Sequence, residues 1–285
     1  MILHHARGTL RLDHCIVMGI LNRTPDSFFD GGRMDLDEAV RHGLRLEAEG
    51  AEIIDVGAVK AGPGAPVPLA EEMDRLLPLV AALAGKTGAL ISVETSSPEI
   101  ARRAVDAGAA IINDVSGLQD PELASACAET GASLVFMHNG GQIRGRPRNP
   151  RYVDVVAVVI DHWRATAEMA IQAGVSESAL IADPGLDFGK NTFQSLELMR
   201  RIDELSAPGW PLLIAASRKD VVGETLGLPL AERREGSLAL AALSTWAGAA
   251  FVRVHDVEAS VRTVRMVEAV RGTRAPLSPI RGLWD

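Results

Sequence analysis

The sequence predicts an α/β fold, a single-domain (β/α)8 TIM barrel, from three observations. Short runs rich in β-branched residues alternate with amphipathic helical segments from Cys15 onward, which is typical of βα units around a parallel sheet. The alternation occurs eight times, and eight such units close into a barrel more readily than they form an open sheet. Several helical segments end at a glycine, as at Gly108, Gly131 and Gly174, a residue that often terminates helices.

The predicted elements follow one another in regular order. Strands are predicted at residues 15–21, 52–56, 89–94, 110–114, 133–137, 180–183, 212–216 and 251–255. Helices are predicted at residues 36–49, 69–83, 98–106, 121–130, 153–173, 192–204, 234–246 and 257–270. The sequence predicts three segments. They are a short N-terminal hairpin that plugs one end of the barrel (residues 1–14), the barrel itself (residues 15–271) and a C-terminal arm (residues 272–285). A doubly wound sheet is the alternative, but Asn22-Arg23-Thr24-Pro25 is not the glycine-rich turn that its dinucleotide-binding form requires.

The composition limits the classes of partner. Hydrophobic residues make up 47% of the 285 residues and charged residues 23%, as in ordinary globular proteins. The formal net charge of -8 argues against nucleic acid as a partner. The N-terminus lacks the pattern of a secretion signal, and the uncharged stretch 236–252 divides better into helix, turn and strand than into a membrane span. We therefore expect a cytoplasmic protein, with Cys15 and Cys127 as small core residues.

Polar residues stand at the carboxyl end of every predicted strand. In a barrel these ends meet at one mouth, where the fold carries its chemistry. The eight ends carry Asn22, Asp55, Glu94, Asn113-Asp114, His138-Asn139, Asp183, Ser217-Arg218-Lys219 and Arg253-Val254-His255-Asp256. Any one of them is compatible with a turn or cap, as Asp183 before Pro184-Gly185 is. The whole ring predicts a ligand site.

The strand-end residues fall into two chemical groups. Asn113, Asp183, Glu94 and Lys219 match the donor and acceptor edge of a flat heterocycle, whose face either of two apolar side chains would cover. These two apolar candidates are Met137 and Phe188.

The second group predicts an anion site. Asn22, Arg253 and His255 belong to it, because arginine offers a planar fork for phosphate oxygens. Magnesium keeps several waters and uses few protein oxygens, so Asn22 with Asp30 would suffice to bind Mg²⁺ beside substrate phosphates.

Two further features are open to more than one interpretation. His138 is equally compatible with ligand contact and with closing a strand. The arginines at positions 144, 146, 148 and 151 are more typical of a solvated loop than of an anion site.

Several motifs, in order along the chain, carry a resemblance to a known family. They are Asn22-x-Thr-Pro-Asp-Ser-Phe-x-Asp-Gly-Gly, Asp55-Val-Gly, Ile112-Asn-Asp-Val-Ser-Gly-Leu, Asp183-Pro-Gly-x-x-Phe-Gly-Lys, Ser217-Arg-Lys, and Gly236-Ser-Leu-Ala followed by Arg253-Val-His-Asp-Val. Together they resemble dihydropteroate synthase, a pterin-binding barrel of folate synthesis. The resemblance extends from about Cys15 to Val270.

The resemblance implies transfer of a dihydropterin-methyl group from its diphosphate to p-aminobenzoate, with release of diphosphate. It further implies that Asn113, Asp183 and Lys219 hold the pterin, and that the anion group holds the diphosphate with Mg²⁺. A homodimer through the late helices is also implied. Glu94, Lys219 and Asp30 are the candidate catalytic residues.

The chain departs from the usual family pattern in its loops. The second loop reads Lys60-Ala61-Gly62-Pro63-Gly64, where the family usually has Ser-Thr-Arg before Pro-Gly, and Lys60 is the candidate replacement for the lost charge. Glu94 stands in place of an aspartate. Asn139-Gly140-Gly141, Ala215 and Arg23 also depart from the pattern. These changes leave open a diverged paralogue that binds pterin with weak or no synthase activity. A second alternative is a methyltransferase that uses a reduced folate and a corrinoid partner, which would share the Asn and Asp-Pro-Gly elements of a pterin site but would not need Arg253 and His255.

Overall fold

The computed structural model describes residues 1–22, 35–59, 67–141 and 151–281. Its core is a sheet of eight parallel strands. The strands are β3 (Ile16–Asn22), β4 (Ile53–Gly57), β5 (Leu90–Glu94), β6 (Ile111–Asp114), β7 (Ser133–Met137), β8 (Leu180–Asp183), β9 (Leu213–Ile214) and β10 (Phe251–Val254). Their order is β8-β7-β6-β5-β4-β3-β10-β9. A parallel bridge from Ala182 to Leu212 joins the two ends, and the Ala182 amide donates to the Pro211 carbonyl oxygen at 3.0 Å. The predicted (β/α)8 barrel is therefore confirmed.

Helices connect the strands around the outside of this barrel. In the described residues they are α1 (Leu36–Ala48), α2 (Leu69–Ala84), α3 (Pro98–Ala107), α4 (Glu122–Thr130), α5 (Val155–Gln172), α6 (Thr192–Arg200), α7 (Ile202–Ser206), α8 (Asp220–Leu226), α9 (Arg234–Trp246) and α10 (Val257–Arg271). Side chains that accept hydrogen bonds from backbone amides of the first turn fix several starts, as Asp35 does for α1 and Asp154 for α5. Of the described helices, none is both long enough and apolar enough to cross a membrane.

Two helical features differ from the sequence prediction. The single helix predicted at 192–204 is divided at Arg201, whose φ of -111° and ψ of 33° interrupt the helical backbone. The seven-residue helix α8 follows β9, where the sequence analysis predicts no helix. So short a segment, with Gly223 inside it, has less than two full turns of the helical pattern from which a helix is predicted. Neither difference alters the order of the βα units.

Alternate residues along each strand enter two separate cores. Ile16, Met18, Ile53 and others point into the barrel, whereas Val17, Ile54 and their neighbours pack against the helices. The alternation follows from the two-residue period of a strand. It decides which side chains at the strand ends face the barrel axis.

An antiparallel hairpin precedes the barrel and consists of β1 (Ile2–His5) and β2 (Gly8–Arg11). Leu3 is fully buried and belongs to the inner core. The Ser133 hydroxyl, at the start of β7, donates to the His4 carbonyl oxygen at 2.7 Å. The predicted hairpin is present and lies at the amino end of the strands, opposite the mouth.

Candidate active site

Side chains from seven strands or strand ends face the axis at the carboxyl end of the barrel. They share the inward position along their strands with Met18, Ile53, Val135 and Phe251 of the inner core. The set consists of Asn22, Asp55, Glu94, Asn113, Met137, Asp183, Arg253 and His255. The structure therefore brings these eight residues to one mouth, whereas His138, which the sequence also grouped there, faces outward.

Arg253 lies at the centre of this set and bridges two buried carboxylates. Its Nε donates to Asp55 Oδ2 at 2.6 Å, and its Nη2 donates to Glu94 Oε2 at 2.7 Å. Asp55 accepts two further bonds, from Ser92 Oγ at 2.5 Å and from Asn113 Nδ2 at 3.1 Å. Four strands are thus joined through one carboxylate network.

Burial and neighbouring charges shift the acid–base properties of the mouth. Burial raises the pKa of Glu94 to about 7, with a contribution from Asp55, although Arg253 acts in the opposite direction. Burial also raises the pKa of Asp183 and lowers that of Lys219, and the attraction between these two groups opposes both shifts. Asp183, Lys219, Glu94 and Arg253 therefore interact electrostatically within one site.

The loop after β8 positions Asp183 through a tight turn. The Asp183 carboxylate accepts a hydrogen bond from the Gly185 amide at 2.7 Å. Gly185 has a φ of +64°, and a Cβ there would lie 2.1 Å from the His138 carbonyl oxygen, so no other residue fits. Buried Lys190 donates to the carbonyl oxygens of His138, Gly185 and Phe188 at 2.8–3.0 Å. This ammonium joins the loops after β7 and β8.

Lys219 and Phe188 meet at the rim of the mouth. The Lys219 ammonium lies 4.9 Å from the centre of the Phe188 ring and donates to the Leu186 carbonyl oxygen at 2.9 Å. Met137, at the end of β7, is buried and lies beside Gly185. An apolar surface and a cation therefore flank the polar residues, an arrangement that suits the binding of a flat heterocycle with polar edges.

His255 stands two residues beyond Arg253 and is exposed at the mouth. Its Nδ1 lies 3.0 Å from the Ser217 hydroxyl. The surrounding protein and the cations Arg253 and Arg218 lower the pKa of His255 to about 4. The ring is accordingly neutral at pH 7.

Asn22 lies at the end of β3, and its side-chain oxygen faces Gly57 on β4. The described residues contain no group of three His, Cys, Asp or Glu side chains arranged to hold a metal ion. Two described carboxylates of the same mouth, Asp55 and Glu94, are paired with Arg253. Asn22 alone does not make a magnesium site, and Asp30, the second expected ligand, lies outside the described residues.

Some of the predicted site residues lie outside the described part of the chain, and one described candidate, His138, has a structural role. Lys60 and the altered second loop are not among the described residues, nor are three of the four arginines between positions 144 and 151. His138 is buried and faces outward, with its ring 5.0 Å from His162 and 6.0 Å from Tyr152. Of its two interpretations, the structural one holds, because its position along β7 is that of the outer core.

Sequence reasoning assigned no individual role to three residues that shape the site. Ser92 fixes Asp55, Lys190 joins two loops, and Arg218 forms a two-pronged pair with Asp256 at 2.7 and 3.1 Å. Ser92 gives no signal in the sequence, since small polar residues are common in strands. Lys190 and Arg218 belong to the motifs that carry the family resemblance, and these motifs are the sequence feature from which a role could have been predicted.

Comparisons with known proteins agree with this geometry. Residues 18–255 match the family model described as pterin binding enzyme. A Mycobacterium leprae protein named inactive dihydropteroate synthase 2 is 48% identical over 278 residues, which cover 95% of this chain and 96% of that protein. Escherichia coli dihydropteroate synthase is 42% identical over 267 residues, which cover 93% of this chain and 95% of that protein.

A solved structure shares the whole architecture. The crystal structure of Yersinia pestis dihydropteroate synthase with a sulfonamide drug has a TM-score of 0.91 and 39% sequence identity, and covers 95% of this chain and 100% of that one. The family predicted from the sequence motifs is confirmed. This chain belongs to the dihydropteroate synthase family of pterin-binding enzymes.

Proposed function

We propose that this chain is a dihydropteroate synthase-like transferase that binds a dihydropterin at the mouth of its barrel. The observation that carries the proposal is the convergence of Asn113, Asp183, Glu94 and Lys219 at the inner face of the mouth. Their amide, carboxylate and ammonium groups match the alternating donors and acceptors of a pterin edge. Met137 and Phe188 would cover the face of the ring.

The proposed reaction joins the pterin to p-aminobenzoate. The bond between the pterin methylene carbon and the diphosphate oxygen breaks, the amine nitrogen bonds to that carbon, and the amine loses a proton. Positive charge develops on the methylene as diphosphate leaves, and a buried carboxylate such as Glu94 stabilises that charge. Lys219 and Asp30 are the further catalytic candidates. Because the aromatic amine is already a neutral nucleophile, its placement is the main requirement.

The leaving diphosphate is proposed to bind at Asn22, Arg253 and His255. A requirement for Mg²⁺ is also proposed, although Asn22 is the single candidate ligand that the structure describes. We also propose a cytoplasmic location.

A turnover assay with the dihydropterin diphosphate, p-aminobenzoate and Mg²⁺ tests the function, and repetition with a chelator tests the metal. Titration calorimetry with the dihydropterin diphosphate and with methyltetrahydrofolate separates the transferase from a folate-dependent methyltransferase. Binding of methyltetrahydrofolate alone would overturn the proposal.

A paralogue with weak synthase activity is a second candidate. Two observations favour it: the Lys60-Ala61-Gly62 sequence of the second loop, and the likeness to a relative whose name includes the word inactive. In this case the pterin still binds, but dihydropteroate forms slowly.

We expect Asp183→Asn to weaken pterin binding by about 1–3 kcal/mol, or roughly 5- to 150-fold. The amide keeps an acceptor for the Gly185 amide, but it loses the charge and one acceptor that the pterin donors need. Calorimetry measures the change, with Asp203→Asn on the exposed face of α7 as the control. Equal pterin affinity in both variants would remove Asp183 from the site.

A homodimer through the late helices is also proposed. α9 and α10 pack together and leave four large apolar side chains exposed: Leu243, Trp246, Met266 and Val270. Burial of such a patch against a second copy removes apolar surface from water. We expect Trp246→Glu to sediment as a monomer and Phe193→Glu, at an exposed aromatic on α6, to remain dimeric. A monomeric unaltered protein would contradict the proposal.

A further inference from the structure

Two residues with a left-handed backbone stand directly before two residues of the proposed pterin site. Asp187, before Phe188, has a φ of +68°, and Arg218, before Lys219, has a φ of +57°. Residues other than glycine rarely adopt this conformation, and it persists where the surrounding contacts fix it. The contacts that hold these two turns therefore also place Phe188 and Lys219.

The Asp187 carboxylate joins three parts of the chain. Its Oδ1 accepts a hydrogen bond at 3.0 Å from the hydroxyl of Ser195, a fully buried residue of α6, and the same hydroxyl oxygen accepts from the Asp187 amide at 3.0 Å. Its Oδ2 accepts from the Val221 amide, in the first turn of α8, at 3.0 Å. Val221 lies two residues beyond Lys219, so the carboxylate fixes the segment that carries this lysine.

Lys219 makes the return contact between the two segments. Its ammonium donates at 2.9 Å to the carbonyl oxygen of Leu186, the residue immediately before Asp187. The loop after β8 and the segment after β9 thus hold each other by one bond in each direction. Each of these bonds has a charged partner, which makes it stronger than a bond between neutral groups.

The charge of Asp187 also acts on Lys219. Burial lowers the pKa of Lys219, and the carboxylates of Asp183 and Asp187 oppose this shift. The other charged or titratable groups that interact with the lysine are Glu94 on β5, Arg253 on β10, His255 beyond Arg253, and Lys190 after the β8 loop. Loss of the Asp187 charge should lower the pKa of Lys219 further, because one attraction that stabilises the ammonium is removed.

We propose that Asp187 is a positioning residue for Lys219, whose carboxylate fixes the segment after β9 and supplies a negative charge beside the ammonium that binds the pterin. The inference rests on the proposed pterin site and adds to it a residue that sets the place and charge of one of its members. Because both oxygens of Asp187 already accept hydrogen bonds from the protein, Asp187 acts through Lys219 rather than on the ligand.

The test measures binding of the dihydropterin diphosphate by titration calorimetry, between pH 8 and pH 10, on four proteins. They are the unaltered chain, Asp187→Asn, Asp187→Gly and Ser195→Ala. Asparagine keeps the shape, tolerates the left-handed backbone and removes the charge, whereas glycine removes the charge and the side-chain contacts without backbone strain. Ser195→Ala keeps the charge and the contact with Val221, and is the matched control.

This pH range separates Lys219 from three of its neighbours. The pKa values of Glu94 and Lys190 are about 7 and that of His255 is about 4, so these groups have largely titrated below pH 8. The ligand titrates identically with every protein. A difference between proteins in the pH at which affinity falls therefore reports on Lys219.

Pterin affinity of the unaltered chain should fall as the pH rises and Lys219 loses its proton. We expect this fall at lower pH in both Asp187 variants, because both lack the charge that favours the ammonium, and at unchanged pH in Ser195→Ala. At pH 8, Asp187→Gly should also bind about tenfold more weakly, the effect of one lost charge-assisted hydrogen bond, and Asp187→Asn should lose less. Ser195→Ala should bind within about threefold of the unaltered chain.

Two outcomes overturn the inference and leave the proposed pterin site standing. The first is the same pH profile in Asp187→Asn and in the unaltered chain. The second is an equal shift in Ser195→Ala, because packing of the loop rather than the charge would then be responsible. If thermal unfolding shows that Asp187→Gly does not fold, Asp187→Asn decides the question alone. If the unaltered chain binds no pterin at pH 8, the proposed function itself fails, and this inference with it.

Discussion

Replacement of Lys60, Ala61 and Gly62 by Ser, Thr and Arg is expected to raise the rate of dihydropteroate formation about ten- to a hundredfold. The variant restores the hydroxyl and the guanidinium that the second loop lacks. A charge-assisted hydrogen bond contributes about 1.5–3 kcal/mol, and each 1.4 kcal/mol of barrier is a factor of about ten in rate. Steady-state kinetics with saturating p-aminobenzoate and pterin diphosphate measures the gain.

The single variant Gly62→Arg is the matched control, because it restores the guanidinium alone. We expect it to give the larger part of the gain, although the effects of adjacent residues need not add. The flexible ammonium of Lys60 works against this prediction, since it is able to supply the same charge. Rapid turnover by the unaltered protein, with no gain in either variant, would show that the loop changes are neutral.

The barrel was predictable because its signals are local and repeated. Seven predicted strands, all except that at 212–216, agree with the structure to within one residue at either end, since short apolar runs bounded by glycine or polar residues mark them clearly. The strand predicted at 212–216 is reduced to Leu213–Ile214. The apolar run continues into Ala215 and Ala216. An apolar pattern therefore does not indicate where the backbone hydrogen bonds to the neighbouring strand end.

The composition of the site was predictable for a geometric reason. A polar residue at the end of a parallel strand must lie at the mouth, whichever strand carries it. Whether a side chain points into or out of the barrel then depends on its position along the strand, because a shift of one residue moves a side chain to the opposite face. His138 shows this, since it follows inward-facing Met137 and therefore packs outside against His162.

The pairing within the site was not predictable. Arg253 is separated from Asp55 by 198 residues and from Glu94 by 159, and no local pattern joins positions so far apart. The sequence placed Arg253 with the anion site and Glu94 with the heterocycle site. The structure joins them in one ion-paired network, because both side chains point into the barrel interior from strands, β10 and β5, that are separated in the sheet by β3 and β4.

Arg253→Met is expected to lower the free energy of unfolding by about 3–5 kcal/mol, the effect of leaving buried charge uncompensated. Asp55 is fully buried, and the side chains of Glu94 and Arg253 are only 7% and 15% exposed. Asp55 keeps Ser92 and Asn113 as donors, so the larger part of the penalty falls on Glu94. Urea denaturation of the variant and of the unaltered protein measures the difference.

The double variant Arg253→Met with Glu94→Gln separates lost pairing from lost packing, because it removes the uncompensated carboxylate. It should recover at least half of the stability lost by Arg253→Met, and strict additivity of the two single changes would contradict this account.

The pH dependence provides a second test. The pKa of Glu94 is raised from 4.5 to about 7, so the folded state binds the proton more tightly than the unfolded state does. The contribution of this tighter proton binding to the free energy of unfolding is complete below pH 4.5 and is lost as the pH rises through 7. Without Arg253, whose charge lowers the pKa of Glu94, this loss extends to higher pH. The stability deficit of Arg253→Met should therefore be larger at pH 8 than at pH 5.5, and Glu94→Gln should remove the difference.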